Sequence, residues 1–565
     1  MTIGKVYRLI PPERRRALPG VLLSALCSAV VDLLGIAALV SVLLLVLDEN
    51  IIQNNAIFAA IYSWLGFGSE GSFIVAVCLA VLVVIVLKAV AGVALQQFRA
   101  RFMLRLYADL SREMYDSYLS RGLLFVRSAH TTKLVNDVNA VCHRFASGVV
   151  SSLLVIQTEG IVVVALLALL ALYNPMIVLL AVAVFLPVGL VYSRIIRRRM
   201  AENGREENRL QVAQNKTMFE ALRGYADIEI AGAKPSIARR FAEGLESLRQ
   251  ISLRASRVRA ASGYVVEFAL VLGVVAVIVA GILTGHSMAS LKLFLGIFAV
   301  AAYRIVPSIS RIVAAATEYR RTCYVVDILA AELASAPEPS PTTDRRLPFE
   351  KSIELRNVTF AYVDKPVIEN YSLTIRKGER VGIQGPSGRG KSTLFNLLAG
   401  LFSPAEGCLV VDGVVVDGAL ERRMWQNNLA YVSQDIFLPD QTIAENIALG
   451  VEREKIDHDR LRRAIEAARL GEFVDSLPKG VETSTGEAGC RLSGGQRQRI
   501  GIARALYKEA SVLMFDEATS SLDEQTEREV VEAVAGLSAA NKELTILFIS
   551  HNSRTLDFCD RIVTL

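Results

Sequence analysis

The sequence GPSGRGKS, residues 385–392, decides the fold of the second half of the chain. It matches the pattern G-x-x-x-x-G-K-[ST], follows the strand-like ERVGIQ and precedes the helix-like TLFNLLAGL. Its three glycines allow backbone N–H groups to close around phosphates. Lys391 is then expected to reach the β- and γ-phosphates of a nucleotide, and Ser392 to hold Mg²⁺. The stretch therefore predicts an α/β domain with a phosphate-binding loop.

Two further motifs follow this loop. SVLMFDEATSSLD, residues 511–523, has the pattern of an apolar strand that ends in Asp516 and Glu517. Asp516 is expected to hold Mg²⁺ through water, and Glu517 is placed to polarise an attacking water. LSGGQ, residues 492–496, opens a helix, and a glycine-rich helix N-terminus is a phosphate site in its own right. The chain thus carries two phosphate-binding helix starts.

In this order and spacing, the motifs resemble those of ABC transporters, and the whole chain resembles the ABC exporters, in which a transmembrane half precedes a nucleotide-binding half. The resemblance implies that adenine stacks on Tyr362 and that Gln434 senses Mg²⁺ and the γ-phosphate. It implies that His551 is the switch histidine that contacts the γ-phosphate. Taken singly, Tyr362 could be an ordinary strand aromatic and His551 a core histidine. The X-loop is matched by Gly486 and Glu487, and the D-loop by Ser521, Leu522 and Asp523.

In the family, the phosphate-binding loop matched by residues 385–392 is called the Walker A motif, and LSGGQ is called the signature motif. ATP is bound between the Walker A motif of one subunit and the signature motif of the other. This chain has one of each, so the resemblance predicts a homodimer with ATP and Mg²⁺ as cofactors, and a heterodimer with a similar partner stays open. It assigns catalysis to Glu517, His551 and Gln434, and Mg²⁺ to Ser392, Gln434 and Asp516. The expected ATP-binding residues are Tyr362, Gly385, Pro386, Ser387, Gly388, Arg389, Gly390, Lys391, Ser392 and Thr393, and in trans Ser493, Gly494, Gly495 and Gln496.

The first 320 residues hold most of the hydrophobic residues, which make up 52% of the chain. A membrane-spanning helix needs about 20 mostly apolar residues. Runs such as VLLSALCSAVVDLLGIAALVSVLLLVL have no polar face to present to water, which argues against a set of buried core helices. Six stretches are long enough to span a membrane: residues 18–47, 72–97, 147–173, 175–196, 262–285 and 291–317.

Arginine clusters stand before the first span and after spans two, four and six, whereas the loop over residues 48–71 contains neither Lys nor Arg. The excess of basic residues on the cytoplasmic side of membrane proteins therefore predicts that both termini are cytoplasmic. The connections over residues 98–146 and 197–261 are long, charged and helical in pattern. Spans two to five are expected to continue through them as helices. Turns around residues 128–136 and 223–231 are the expected contacts with the ATPase domain.

The composition shifts near the end of the sixth span, and residues 334–348 are rich in Pro, Ser and Thr. We expect a transmembrane domain over residues 1–325, a linker over 326–350 and a nucleotide-binding domain over 351–565. The predicted fold is multi-domain. It combines a six-helix α transmembrane domain with long cytoplasmic helical extensions and an α/β P-loop ATPase domain with a helical subdomain.

Three other features limit the function. The net charge is +6, but the basic residues lie beside the apolar spans, so membrane topology accounts for them better than a nucleic-acid partner does. The seven cysteines form no C-x-x-C pair, which indicates neither a zinc site nor a disulfide framework. Residues 54–68 are apolar and aromatic but too short to span. Tyr62, Trp64 and Phe67 suit a helix in the outer membrane interface, or a loop packed on its own spans.

Charged residues occur inside the predicted spans, where they are costly and usually pair or face a water-filled cavity. Arg304 and Arg311 are seven residues apart, so they lie on one face of a helix at about 10 Å. With Lys88 they are the candidate ligands of an anionic lipid headgroup, because guanidinium binds phosphate in a fork. Arg311 could instead anchor the helix at the interface. Pairing between helices is the other interpretation for Asp32, Lys88, Glu159 and Glu267.

The stretch AYRIVPSISRI, residues 302–312, resembles the sixth span of bacterial lipid-linked oligosaccharide flippases. The predicted function is ATP-driven export or flipping of an amphipathic substrate across the bacterial inner membrane. Polyprenyl-pyrophosphate-linked oligosaccharide is the first choice of substrate. The alternatives within transport are a drug, a lipid A-like lipid or a peptide. An ATP-gated channel or a regulator would belong to another class, but the intact Glu517 favours turnover.

Overall fold

The computed structural model describes residues 3–47, 56–67, 69–173, 175–283, 288–337, 341–362, 365–386, 388–519, 522–550 and 553–565. The chain divides into two compact units. The first comprises Met1–Leu119 and Val126–Pro337, and the second comprises Glu338–Leu565 together with Ser120–Phe125.

The first unit is helical. Three of its helices, of 51, 49 and 50 residues, are more than twice the length that a bilayer requires. The extension of the apolar spans into long charged helices is therefore confirmed. The α-helices that begin before the linker are α1 Ile3–Leu9, α2 Pro12–Arg15, α3 Leu18–Leu47, α4 Ala56–Leu65, α5 Glu70–Ser120, α6 Gly122–Ser128, α7 Thr131–Asn136, α8 Cys142–Arg144, α9 Ser151–Tyr173, α10 Pro175–Arg223, α11 Tyr225–Ile230, α12 Lys234–Leu283, α13 Met288–Thr322 and α14 Tyr324–Ala334. Of these, the last residue of α5 and the first four of α6 belong to the segment Ser120–Phe125 of the second unit.

Four helical runs among the described residues are long and apolar enough to cross a membrane. They overlap the first, second, third and fifth predicted spans. The fourth and sixth predicted spans lie in α10 and α13, where many side chains fall outside the part of the chain that the structure describes. The four runs are Pro12–Ala38, Glu70–Ser120, Thr131–Ala168 and Lys234–Ala276.

Between α7 and α9 the helical hydrogen bonding widens twice into π-helical turns, at Asp137–Val141 and Phe145–Val150. The second turn meets α13 closely, because a Cβ added to Gly148 would lie 2.6 Å from the Thr322 methyl carbon. The connections predicted around residues 128–136 and 223–231 contain the short helices α7 and α11 rather than open turns. Their contact with the ATPase domain stays a prediction.

Two segments differ in detail from the sequence-based expectation. Helix α14 covers the first nine residues of the expected linker, because Val325, Val326 and Leu329 are buried. Helix α4 forms within the short outer segment, and Tyr62 packs edge-on against Phe73 with ring centroids 5.4 Å apart. The Trp64 side chain is 84% exposed. The segment is thus a helix with an exposed tryptophan that also packs on its own spans, and its place in the membrane interface stays a prediction.

The second unit contains two sheets. An antiparallel sheet has the strand order β2-β1-β4-β5, and a parallel sheet has the order β6-β7-β8-β3-β9. Every residue of β7 and β8 is buried, as expected of central parallel strands. The strands are β1 Ser352–Ala361, β2 Pro366–Arg376, β3 Arg380–Gln384, β4 Glu406–Val411, β5 Val414–Val415, β6 Leu429–Val432, β7 Val512–Asp516, β8 Thr545–Ile549 and β9 Arg561–Thr564.

Helices pack against the parallel sheet and share an apolar core with residues of β6, β7 and β8. Ligands of open α/β sheets bind beyond the carboxyl ends of the parallel strands. The phosphate-binding loop follows β3, and Asp516 ends β7, so both motifs lie at that edge. The helices are α15 Lys391–Leu398, α16 Ala419–Gln426, α17 Ile443–Ile447, α18 His458–Ala467, α19 Gly471–Asp475, α20 Gly494–Tyr507 and α21 Glu524–Ala540.

Candidate functional site: a nucleotide site and a charged membrane cavity

The phosphate-binding loop connects β3 to α15 in a conformation that only glycine adopts easily. Gly388 and Gly390 have φ values of 81° and 95°, and a Cβ on Gly390 would lie 2.9 Å from Val367. The ammonium of Lys391 donates hydrogen bonds to the carbonyl oxygens of Gly385, at 2.8 Å, and Pro386, at 3.3 Å. The lysine therefore lies folded over the loop that would hold the phosphates. Ser387 lies outside the described residues.

Asp516 is held from two sides. The Ser392 hydroxyl donates to its Oδ1 at 3.1 Å, and the Tyr431 hydroxyl donates to its Oδ2 at 3.0 Å. Burial raises the pKa of Asp516, and these two hydrogen bonds act in the opposite direction. Tyr431 belongs to no motif quoted above. It lies on β6, the neighbour of β7, and only this strand order reveals its proximity to Asp516.

Glu517 follows β7 in a left-handed conformation, with φ of 51°. Its backbone N–H donates to the Ile549 carbonyl at 3.1 Å, which ties this turn to the end of β8. Gln434 donates to the Glu517 carboxylate at 3.0 Å, and the Lys391 ammonium lies 3.9 Å from its other oxygen. The structure thus brings together Glu517, the predicted water-activating residue, with Gln434 and Lys391.

The donor set fits Mg²⁺, which prefers hard oxygen ligands and keeps several of its waters. Ser392, Asp516 and Gln434 supply a hydroxyl, a carboxylate and an amide at one edge of the parallel sheet. Bound there with a nucleotide, Mg²⁺ would neutralise the charge that develops on the phosphate oxygens. Lys391 contributes a further positive charge beside Glu517.

The predicted adenine contact, Tyr362, is 43% exposed, so part of its ring is accessible to a base. It packs edge-on against Phe360 and Phe402, with ring centroids 5.2 and 5.8 Å away. Its hydroxyl lies 2.9 Å from that of Thr393, which follows the phosphate loop. Arg389, between the loop glycines, is exposed.

The signature motif begins α20 with a capping box. The Ser493 hydroxyl accepts from the Gln496 N–H at 3.2 Å, and the Gln496 side chain accepts from the Ser493 N–H at 2.9 Å. Gly494 and Gly495 begin the helix, where backbone N–H groups have no partner within the helix. The motif thus presents a rigid helix start of positive partial charge.

The other family elements are described only in part. In the D-loop match, Asp523 caps α21 by accepting from the Thr526 N–H at 2.9 Å, and Leu522 packs against the helical core. Gly486 has φ of 74°, and Glu487 follows it in a 3₁₀ turn. Ser521 and the predicted switch histidine, His551, lie outside the described residues.

The first unit contains a cavity of about 640 Å³ among its apolar helices. The Lys88 ammonium lies 3.0 Å from the Asp32 carboxylate, which joins α5 to α3. Arg311, on α13, forms an ion pair with Glu159, on α9. Both pairs line the cavity, together with Arg99. The expected pairing of Asp32, Lys88 and Glu159 is therefore present.

The other two charged residues of the spans are Arg304 and Glu267. The side chain of Arg304 is outside the described part of the structure, and Glu267 is exposed on α12. Two of the three predicted headgroup ligands, Lys88 and Arg311, thus meet in one cavity. Sequence inspection missed Arg99. It lies 11 residues after Lys88, which is about three helical turns, and this spacing was the signal.

Comparisons with known proteins match both units. The family model for the ABC transporter transmembrane region matches residues 24–303, and the model for the ABC transporter matches residues 368–520. Among curated relatives, the ATP-dependent lipid A-core flippase of Cupriavidus pinatubonensis is 32% identical over 84% of this chain and 80% of its own. The protein of the same name from Ralstonia nicotianae is 33% identical, over 84% and 81%.

The fold also has a counterpart among solved structures. The structure of a bacterial Atm1-family ABC exporter with ATP bound covers 98% of this chain and 93% of its own, with a TM-score of 0.77 at 22% identity. That identity is low, so the likeness shows the fold alone. Together with the relatives, the family matches and the nucleotide-site motifs, it shows that the chain belongs to the ABC transporters, as a half-transporter whose ATPase domain hydrolyses ATP to drive transport.

Proposed function

We propose that this chain works as a homodimer in the bacterial inner membrane, with both termini cytoplasmic, and flips an amphipathic lipid whose headgroup carries phosphate. The observation that carries the proposal is the charged cavity among the apolar helices. Three basic side chains, Lys88, Arg99 and Arg311, line it. Charges in such a place are costly unless they serve a ligand or a pair, and the cavity has the volume of an ordinary ligand site.

Lys88 and Arg311 are the proposed headgroup ligands within the described residues, and Arg304 is the third. A guanidinium presents a planar fork of donors that matches phosphate oxygens, and an ammonium adds a mobile point charge. Arg311 is half exposed, with 50% of its side chain accessible, so a ligand can reach it while it contacts Glu159. The apolar walls of the cavity would accommodate the beginning of acyl chains.

Among lipids, the relatives favour one class. Both proteins described above carry the name lipid A-core flippase and align with more than four fifths of this chain. The first choice from the sequence, a polyprenyl-pyrophosphate-linked oligosaccharide, rests only on the local resemblance of residues 302–312. The lipid A-like alternative is therefore the better supported substrate class. Drug and peptide export have no comparable support here.

We propose that the nucleotide site acts as the family resemblance implies. Glu517 polarises the attacking water, Gln434 would sense Mg²⁺ and the γ-phosphate, and His551 contacts the γ-phosphate. Ser493 and the following glycines of the second subunit complete the site around the phosphates. Asp516 and Ser392 hold Mg²⁺. The contacts among Glu517, Gln434 and Lys391 support this assignment, because they already converge at the sheet edge.

The test is translocation in proteoliposomes, measured by the accessibility of the headgroup. We expect ATP-dependent flipping of a lipid A-like lipid, weaker flipping of a polyprenyl-pyrophosphate lipid and none of phosphatidylcholine. Lys88→Gln/Arg311→Gln should lose at least about tenfold of the flipping rate, since each charge-assisted contact is worth more than 1 kcal/mol. Its ATPase activity without lipid should persist, because neither residue lies in the ATPase domain.

Asp109→Asn supplies the control. Asp109 pairs with Arg14 outside the cavity lining, so its loss removes an ion pair of α5 without touching the proposed site. If the double variant folds, hydrolyses ATP and flips lipid A-like lipid at the wild-type rate, the headgroup assignment is wrong. A preference for the polyprenyl lipid would instead return the substrate class to the first choice.

A further inference from the structure

Two of the three basic side chains that line the cavity already form ion pairs with carboxylates. Lys88 contacts Asp32 at 3.0 Å, and Arg311 contacts Glu159, with each pair joining two different helices. The Lys88 and Asp32 side chains are 30% and 24% exposed, so this pair faces the cavity rather than a dry core. Glu159 is only 7% exposed and reaches the cavity through Arg311. The carboxylates thus occupy the positions that a phosphate would need.

The charges of the cavity nearly balance. Among the described residues that line it, three are basic and two are acidic, which leaves a single net positive charge. Arg99 accounts for the excess. A headgroup with one negative charge is therefore matched without disturbing either pair. A headgroup with two or more requires that Lys88 or Arg311 exchange its carboxylate for the ligand.

Gly35 allows Lys88 to take its paired position. A Cβ at Gly35 would lie 2.5 Å from Lys88 Cδ and 2.9 Å from Nζ, so the lysine lies directly against the backbone of α3. Asp32 is three residues earlier on the same helix face. The stem of the lysine thus packs against α3. Its four-carbon stem can rotate toward a ligand, which makes this pair the easier of the two to open.

Exchange is physically reasonable for such a pair. A partly solvated ion pair is stabilised only modestly, because water screens the attraction and the long side chain loses rotamer freedom. A phosphate group with more than one negative charge offers three strong acceptor oxygens and more charge than a carboxylate. Exchange of the carboxylate for a ligand therefore lowers the free energy of the lysine only when the ligand carries more negative charge than the carboxylate.

We propose that Asp32 and Glu159 are built-in counter-ions that set a charge threshold for the substrate. They hold Lys88 and Arg311 until a headgroup with at least two negative charges displaces them. The zwitterionic and singly charged phospholipids of the surrounding bilayer cannot displace them, and so do not engage Lys88 and Arg311. This inference rests on the proposed function, in that the ligand is taken to be an anionic lipid.

The experiment measures ATPase stimulation in phosphatidylcholine nanodiscs that contain either a bis-phosphorylated lipid A analogue or phosphatidylglycerol. We expect the wild type to respond to the bis-phosphorylated lipid and not to phosphatidylglycerol. Asp32→Asn should lower the half-maximal concentration of the bis-phosphorylated lipid roughly fivefold, since a competing partner of Lys88 is gone. It should also let phosphatidylglycerol stimulate. Glu159→Gln should act in the same direction through Arg311.

Two variants serve as references. Lys88→Gln should raise the half-maximal concentration, and Asp32→Asn/Lys88→Gln should resemble Lys88→Gln, because the carboxylate acts only through the lysine. Asp109→Asn, whose ion pair with Arg14 is not part of the cavity lining, should leave both lipid responses unchanged. Melting temperatures of all variants, measured without lipid, report any loss of fold.

The outcomes separate the two proposals. If the bis-phosphorylated lipid does not stimulate the wild type, the proposed function fails. If it does, but Asp32→Asn and Glu159→Gln leave the half-maximal concentration and the lipid preference unchanged or worse, only the charge threshold fails. Misfolding of Asp32→Asn that Lys88→Gln rescues would likewise overturn the inference, because the pair would then be a structural contact.

Discussion

At the scale of single residues, the nucleotide site shows which side chains a motif can and cannot reveal. Asp516 and Glu517 follow from the apolar strand that they end, and Ser392 follows from the phosphate loop. Tyr431 does not, because its contact with Asp516 depends on the pairing of β6 with β7, in which Tyr431 is opposite Met514. Strand order brings Tyr431 to Asp516, and no local pattern encodes strand order.

This contact gives the first residue-scale prediction. Tyr431→Phe removes the hydrogen bond that orients the Asp516 carboxylate and leaves the ring in place against Phe395. A hydrogen bond to a charged group contributes about 1.5–3 kcal/mol, so we expect half-saturation by Mg²⁺ to require roughly tenfold more metal. Nucleotide binding in the presence of a chelator should not change, because Tyr431 orients only the metal ligand.

The measurement is a titration of Mg²⁺, or of Mn²⁺ followed by electron paramagnetic resonance, against the nucleotide-loaded protein. Tyr371→Phe is the matched control, because that tyrosine is also half-buried but lies on β2 of the antiparallel sheet. An unchanged metal affinity in Tyr431→Phe would show that Ser392 and the strand end suffice to orient Asp516. An equal loss in both variants would indicate a general effect on folding.

At the scale of helices and strands, the sequence predicts which elements form better than it predicts which elements contact one another. Long apolar runs identify the spans, and their charged continuations predict the long helices α5, α10 and α12, since both patterns are local. Helix α14 runs into the expected linker because packing stabilises it, which the Pro-rich composition after it conceals. The cavity pairs depend on which helices are neighbours, so the sequence left pairing and ligand binding as alternatives.

The crossing of α10 and α13 illustrates such a contact and carries the next prediction. Gly204 stands in the charged stretch AENGREENR, where it resembles a weak point of the helix. In the structure, a Cβ at Gly204 would lie 1.8 Å from the backbone oxygen of Arg321. Arg321 is itself held by Glu207 at 2.7 Å and Glu318 at 2.6 Å, so it cannot yield easily.

We therefore expect Gly204→Ala to force the helices apart and to destabilise the protein by about 1–3 kcal/mol, the usual cost of overpacking. Thermal unfolding of the detergent-solubilised protein measures this. Gly263→Ala is the matched control, because among the described residues no atom outside its own helix backbone lies within 4 Å of its added Cβ on the long helix α12, and alanine favours a helix over glycine by about 1 kcal/mol. Equal melting temperatures for both variants would contradict the close crossing.

At the scale of the whole molecule, the proposed function assigns the substrate to the cavity of the first unit and ATP to the nucleotide site of the second. Each chain carries one phosphate loop and one signature helix, α20. The capping box makes the start of α20 rigid, and its glycines present N–H groups toward an anion. If the signature acts on the nucleotide of the other subunit, then neither motif is sufficient within its own chain.

Subunit mixing tests this arrangement, and it is the prediction with the widest consequence. Lys391→Ala disables the phosphate loop, and Ser493→Arg disables the signature. Mixed one to one, they form heterodimers for half of the population, and each heterodimer has one intact composite site. If the sites are independent, the mixture should regain about one quarter of wild-type ATPase activity, although each variant alone has none.

Wild type mixed with the Lys391→Ala/Ser493→Arg double variant provides the control. Its heterodimers contain no intact composite site, so only wild-type homodimers contribute, again about one quarter of the activity. Motifs that acted within one chain would give none in the first mixture and about one half in the second, so the two mixtures together distinguish the arrangements.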